Sequence, residues 1–243
     1  MNYFLEAFAW IFSPERLTGS LPLPTAIAQH LAFTFGSVLI AALIAIPAGW
    51  AIGHTGRGRE FAVSLSGAAR ALPSLGLIVL LYLLLGVSLK TEAAVASFVI
   101  LAIPSILAGA YAGFEAIDRT VVDAGRAMGM TPWQVLWKIE VPLGLPLLIG
   151  GLRQATLQVV ATVTIAAYVG LGGLGYYIIQ GIPLRDFPQI LGASIVVIAL
   201  ALLLDAIFAL LQRVVVPRGV RARTDSPQRS PGVRTRAVAS SPA

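Results

Sequence analysis

The chain is 243 residues long, 57% hydrophobic and only 12% charged, a composition that a soluble domain of this size could not keep in solution. It contains no cysteine, which excludes a disulfide framework and any thiol-based metal or redox site. Membrane topology and a basic tail are enough to account for its net charge of +6, so no nucleic acid partner is expected.

Residues 1–12 are apolar, include Trp10 and three phenylalanines, and are followed by Pro14, Glu15 and Arg16. They lack a basic start and a small-residue cleavage site, so an interfacial helix on the outer surface fits better than a signal peptide, with a sixth span as the alternative. Residues 1–26 form this extracytoplasmic segment, and 27–215 the transmembrane domain. Continuous apolar runs at 31–53, 72–86, 93–114, 143–169 and 190–211 predict about five spans. Most of them reach the ~20 residues that a helix needs to cross about 30 Å of hydrocarbon. The second does so only if it extends back through 61–71, which Ser64, Ser66, Gly67, Ala68 and Ala69 permit. None alternates polar and apolar residues like a membrane barrel. The expected fold class is therefore all-α, a polytopic transmembrane helical bundle. Pro47, Pro73, Pro104 and Pro146 punctuate the runs and predict kinks.

A polar loop, 115–142, separates the third and fourth runs. Its core, D-A-G-R-A-M-G-M-T-P-W-Q-V-L-W-K-I-E-V-P at 123–142, reads as two short helices around a glycine. Gly129 suits the left-handed turn that ends a helix containing Asp123 and Met128. Thr131 is then an N-cap, with Pro132 at the first helical position, Gln134 completing a capping box, and Met130 and Val135 placed as a hydrophobic staple. Trp133 and Trp137, four residues apart, share one helix face, and Pro142 is expected to break the chain. The whole predicts a stiff, aromatic-faced hairpin made for docking.

Further along, Gly170 to Gly175 reads G-L-G-G-L-G between tyrosines. Gly172, Gly173 and Gly175 allow close helix approach or a re-entrant turn at a gate, while the tyrosines also fit an interfacial belt. Arg153 and Asp205 fall within the fourth and fifth runs, where an isolated charge is costly, so they are expected to pair across the bundle or one of them to pair with another polar group, as a helix-positioning contact, a snorkelling arginine or a part of gating. Residues 216–243, rich in Pro, Ser and Arg, read as a disordered basic cytoplasmic tail whose charge suits anionic lipid head groups. Placing the loop inside puts fourteen Lys and Arg residues on the cytoplasmic side and leaves Arg16, Lys90 and Arg185 outside. That bias orients the chain with its N-terminus out and C-terminus in.

No catalytic constellation is present. His30 and His54 lie near opposite ends of the first run and cannot share a site. There is no H-E-x-x-H, no G-x-S-x-G and no G-x-x-x-x-G-K-[ST], so no metal, cofactor or nucleotide site is expected, and the energy for any driven transport must come from a partner.

The loop resembles the coupling loop of permease subunits in binding-protein-dependent ABC importers, E-A-A-x-x-x-G-x9-I-x-L-P. Asp123, Ala124, Gly125, Gly129, Ile139, Val141 and Pro142 keep that spacing. Asp replaces Glu, Gly replaces the second Ala, and Val replaces Leu. The segments A-L-P-S-L-G-L at 71–77, G-G-L-R-Q-A-T at 150–156 and V-G-L-G-G-L-G-Y-Y-I at 169–178 resemble the osmoprotectant branch, which imports glycine betaine, choline, carnitine and similar quaternary ammonium compounds. The resemblance implies an inner-membrane subunit without its own ATPase site. Its implied partners are two ABC ATPase subunits, a second permease subunit (itself or a paralogue), an extracytoplasmic substrate-binding protein and the lipid bilayer. It also implies that Trp133 and Trp137 anchor the loop in a groove of the ATPase. An amino-acid importer permease is the runner-up, and a secondary transporter or a purely structural membrane protein stands further off.

Overall fold

The structure is a computed structural model that describes residues 2–215, apart from the side chains at 61, 65 and 68–70. The basic tail expected at 216–243 lies outside the described residues. Among the described residues every regular element is helical. In chain order these are α1 (Tyr3–Phe12), α2 (Glu15–Thr18), α3 (Leu23–Thr55), α4 (Arg59–Ala71), α5 (Ser74–Leu85), α6 (Lys90–Glu115), α7 (Arg119–Ala127), α8 (Pro132–Val135), α9 (Val141–Ala166), α10 (Gly175–Leu184) and α11 (Phe187–Val215).

Four stretches are long and apolar enough to cross a bilayer: Leu23–Thr55, Val87–Glu115, Pro132–Val169 and Phe187–Val215. The second expected run takes a different form. It does not extend back into one continuous helix, because α4 and α5 are separated at Leu72 and Pro73. Proline has no N–H to give and pushes the residue before it out of the helical region, so the break falls where the chain's own chemistry puts it. At about 18 Å, α5 alone is shorter than the ~30 Å of a hydrocarbon core. The second expected run is thus a broken segment beside the four long helices.

The centre of the bundle is α3, α6 and α9. In hydrocarbon the fit between helices rests on van der Waals contact rather than on exclusion of water, and small residues permit the closest approach. Gly109 and Gly113 of α6 meet Gly151 and Gly144 of α9 so tightly that an added methyl group would come within 2.7 and 2.6 Å of backbone carbonyl oxygens. Gly49 of α3 leaves the same kind of room for Ala110 of α6. Phe98, Ile106, Val159 and Val163 are fully buried in this core, together with Ile78 from α5. α6 therefore stands between α3 and α9 and closes on both.

At one end of the bundle, α1 docks against the start of α11. Ala7 is fully buried, the rings of Tyr3 and Phe187 meet at 5.6 Å, and Gly192 makes room for Trp10. The opposite face of α1, with Phe4, Leu5, Phe8 and Phe12, stays exposed. Pro47, Pro104 and Pro146 lie inside helices that run on through them. Gln212 of α11 donates to the Pro146 carbonyl at 3.0 Å, a polar tie between two long helices.

Candidate functional site

The hairpin between α6 and α9 is built almost wholly from local capping chemistry. Asp118 caps α7, its carboxylate accepting from the Thr120 N–H at 3.0 Å. The helix ends in a Schellman motif: Gly129 N–H donates to Arg126 O at 2.9 Å and Met130 N–H to Gly125 O at 3.2 Å. Gly129 sits at φ +81°, a conformation that a side chain would strain. Thr131 then opens α8 with a reciprocal capping box. Its Oγ1 accepts from Gln134 N–H at 3.3 Å, and its N–H donates to Gln134 Oε1 at 2.9 Å. Side chains of Met130, Val135 and Ile139 close over Gly125, so the two arms of the hairpin pack face to face.

Pro142 does not break the chain. A wide π turn, Leu136–Glu140, follows α8 directly, closed by Val141 N–H donating to Leu136 O, and it leads straight into α9. The wider turn passes over the position where proline offers no hydrogen bond and would crowd the preceding carbonyls. The second arm of the hairpin is thus the first part of a spanning helix. Whatever moves the hairpin moves α9.

Trp133 and Trp137 meet edge to face at 5.6 Å and are 68% and 46% exposed. Trp137 also touches Trp50 of α3 at 5.7 Å, and Trp50 stacks on Phe114 at 6.1 Å. A ladder of four rings therefore runs from the surface into the bundle. Asp123 and Ala124 are exposed on α7, with Asp123 3.8 Å from Arg126. Ile139, Val141 and Pro142 are partly buried under the hairpin.

Gly125 stands where the family pattern has alanine. A methyl group there would first meet Ile139 Cδ1, at 2.6 Å, which is the free end of a flexible side chain. Alanine gains ~1 kcal/mol of helix propensity, which offsets a similar overpacking cost of about 1 kcal/mol. Gly125→Ala is therefore expected to leave the level of folded chain in the membrane within about twofold of wild type, whereas Gly125→Leu pushes the arms apart and lowers it several-fold, as the amount recovered in the membrane fraction measures.

The Arg153 guanidinium of α9 grips Asp205 of α11 with two parallel bonds, Nε to Oδ1 and Nη2 to Oδ2, each 2.6 Å. This bidentate geometry is the strongest kind of arginine–carboxylate contact, and it ties α11 to the central three helices.

The glycine segment forms a compact turn after α9. Gly170 and Gly173 take positive φ, of 79° and 86°. Gly173 N–H donates to Gln29 Oε1 at 3.0 Å, and the His30 ring lies over the same glycine. Gly172 packs on Gln29, while Gly175 presses against Thr164 O. The structure thus brings Gly172 and Gly173 together against α3, while Gly175, the first residue of α10, lies apart against α9. His30 is buried, its Nε2 donating to Val160 O at 3.1 Å. Tyr177 OH donates to Leu21 O, fastening α10 to the start of α3.

One contact has no counterpart in the sequence reading. Glu140, buried in the π turn, accepts from His54 Nδ1 at 2.5 Å, joining the hairpin to the end of α3. The partners are 86 residues apart. The sequence signal available is slight: a carboxylate between the apolar Ile139 and Val141, at a position the family pattern leaves open.

The fold is a helical membrane bundle with a capped hairpin on a continuous path into a spanning helix. Residues 41–220 match the family of binding-protein-dependent transport system inner membrane components, and the chain belongs to that family. It is 31% identical over 193 residues to the glycine betaine/carnitine/choline transport system permease protein OpuCB of Bacillus subtilis, covering 79% of this chain and 88% of the relative. It is 32% identical over 199 residues to the osmoprotectant import permease protein OsmW of Salmonella typhimurium, covering 79% and 91%. Among solved structures, a chain of the MetNI methionine ABC transporter in an inward-facing conformation superposes with a TM-score of 0.71 at 22% identity, covering 80% of this chain and 96% of that one.

Proposed function

We propose that this chain is the membrane-spanning subunit of an ATP-driven importer for quaternary ammonium osmoprotectants such as glycine betaine, choline or carnitine. The observation that carries the substrate class is its likeness, at 30–32% identity over nearly all of their length, to several permeases named for those solutes. The likeness to the methionine transporter concerns the fold and does not favour amino acids.

In this reading the hairpin is the joint to an ABC ATPase. Asp123, Ala124, Gly125 and Gly129 set its first arm, Trp133 and Trp137 dock in a groove of the ATPase, and Ile139, Val141 and Pro142 hand the motion to α9. Two ATPase copies and a second permease subunit (this chain or a paralogue) complete the path, and an extracytoplasmic binding protein delivers the solute. ATP hydrolysis belongs to the partner. The excess of Lys and Arg on the hairpin side supports an inner-membrane orientation with the hairpin and C-terminus in the cytoplasm and α1 on the outer side. The glycine turn at 170–175 then lies at the outer end of the path, where it serves as a gate element. The Arg153–Asp205 pair holds α11 to the moving core.

The test is uptake of labelled glycine betaine, choline and carnitine by cells carrying the complete system. Uptake should need the binding protein and collapse when ATP is depleted with the ion gradient held. Uptake that persists on the gradient alone would identify a secondary transporter, and ATP-driven uptake of amino acids only would move the chain to the runner-up class. A permease that captures no ATPase in mild detergent would be a structural protein.

A further inference from the structure

α3 touches both ends of the working parts. It runs unbroken for 33 residues, about 50 Å at 1.5 Å per residue. At one end His54 donates to the buried carboxylate of Glu140, and Trp50 meets Trp137 one turn earlier. At the other end Gln29 accepts from the backbone of Gly173, and His30 covers the same residue. With Glu140 as the carboxylate acceptor, His54 Nδ1 is the donor of this bond. Between its ends α3 is locked to α6 by the close approaches at Gly49 and Gly53. Covalent continuity makes α9 follow the hairpin, but it does nothing for α3. The His54–Glu140 bond and the Trp50–Trp137 contact bind the hairpin to α3 directly.

We propose that His54 and Glu140 are positioning residues that clamp the hairpin to α3, and that α3 carries its displacement as a rigid body to the glycine turn through Gln29. The inference rests on the permease reading above and adds to it a route: hairpin, His54–Glu140 joint, α3, Gln29–Gly173 joint, outer turn. A buried carboxylate left without its partner favours separation of hairpin and helix, so coupling fails although the docking face is intact.

The test uses the whole transporter, this chain with its ATPase and binding protein, in proteoliposomes, and reads solute uptake per ATP hydrolysed. Glu140→Ala and His54→Ala are expected to keep the ATPase bound and hydrolysing while uptake per ATP falls about tenfold, with the double variant no worse than either single one. Glu140→Gln, which keeps an acceptor for the ring, retains most of the coupling. Gln29→Met, which keeps the shape but loses the acceptor, reproduces the defect at the far end. Because the chain has no cysteine, a His54→Cys/Glu140→Cys variant can be bridged cleanly by a short reducible bis-thiosulfonate. The bridge should restore coupling, and reduction should remove it again. Unaltered uptake per ATP in the alanine variants overturns the proposal, as does a bridge that blocks transport, since hairpin and α3 would then move apart during the cycle. Absence of ATP-driven uptake by the unaltered chain would instead overturn the permease reading, and this route with it.

Discussion

Trp133→Ala is expected to release the ATPase from the permease and to abolish uptake while leaving the bundle folded. The indole stands 68% exposed on a helix whose first turn is fixed by a full capping box, so it is presented rigidly and loses little entropy on docking. Truncating a central aromatic anchor of this kind typically costs 2 kcal/mol or more, which is about a thirtyfold loss of affinity. Trp137→Ala should be worse for transport than for binding, because that ring also meets Trp50 and belongs to the contact with α3. Gly129→Pro reaches the same end by another route. Proline holds φ near −65°, whereas residue 129 sits at +81°, and it also removes the N–H that bonds Arg126 O. The hairpin cannot close, and both docking and uptake are lost. Co-purification with the ATPase in mild detergent and labelled uptake are the measurements, with a thermal melt as the folding control. Normal association and uptake in all three variants would remove the hairpin from the coupling role.

The hairpin was legible in the chain because its determinants are local. Gly129, Thr131, Pro132 and Gln134 specify their own geometry within a few residues, and no distant partner need be known. The Arg153–Asp205 contact was legible for a different reason: two charges of opposite sign inside apolar runs leave each other few alternatives. What sequence reasoning missed depends on tertiary packing. Pro142 reads as a break until the π turn ahead of it is seen. Pro73 does break its helix, although a run of spanning length needs continuity through 61–86. The His54–Glu140 bond is invisible because its partners lie 86 residues apart and nothing local to either points to the other, and the same holds for Gln29 and Gly173. Substrate class is legible only through likeness to relatives, since none of the described side chains forms a site that names a solute.

The ion pair between α9 and α11 yields the second strong expectation, and it separates structure from gating. Arg153→Ala leaves the Asp205 carboxylate unpaired on a short stem within an apolar run, while Asp205→Ala leaves an arginine whose long apolar stem can carry its head group toward the interface. Arg153→Ala should therefore lower the amount of folded permease in the membrane several-fold, and Asp205→Ala clearly less. Removing both charges leaves nothing unpaired, so Arg153→Ala/Asp205→Ala should recover much of the level lost in the worse single variant. The swap Arg153→Asp/Asp205→Arg should recover only part of it, because the two 2.6 Å bonds depend on a fork reaching from α9 to a carboxylate on α11. Membrane level and uptake per folded permease are to be measured together. If the double alanine variant folds and transports normally, the pair is a positioning device for α11. If it folds normally but uptake per permease is lost, the pair acts in the transport cycle itself, holding one arrangement of α9 and α11 against another. If each single change is harmless to both, the pair is idle, and the tie between α11 and the core falls to Gln212 and Pro146.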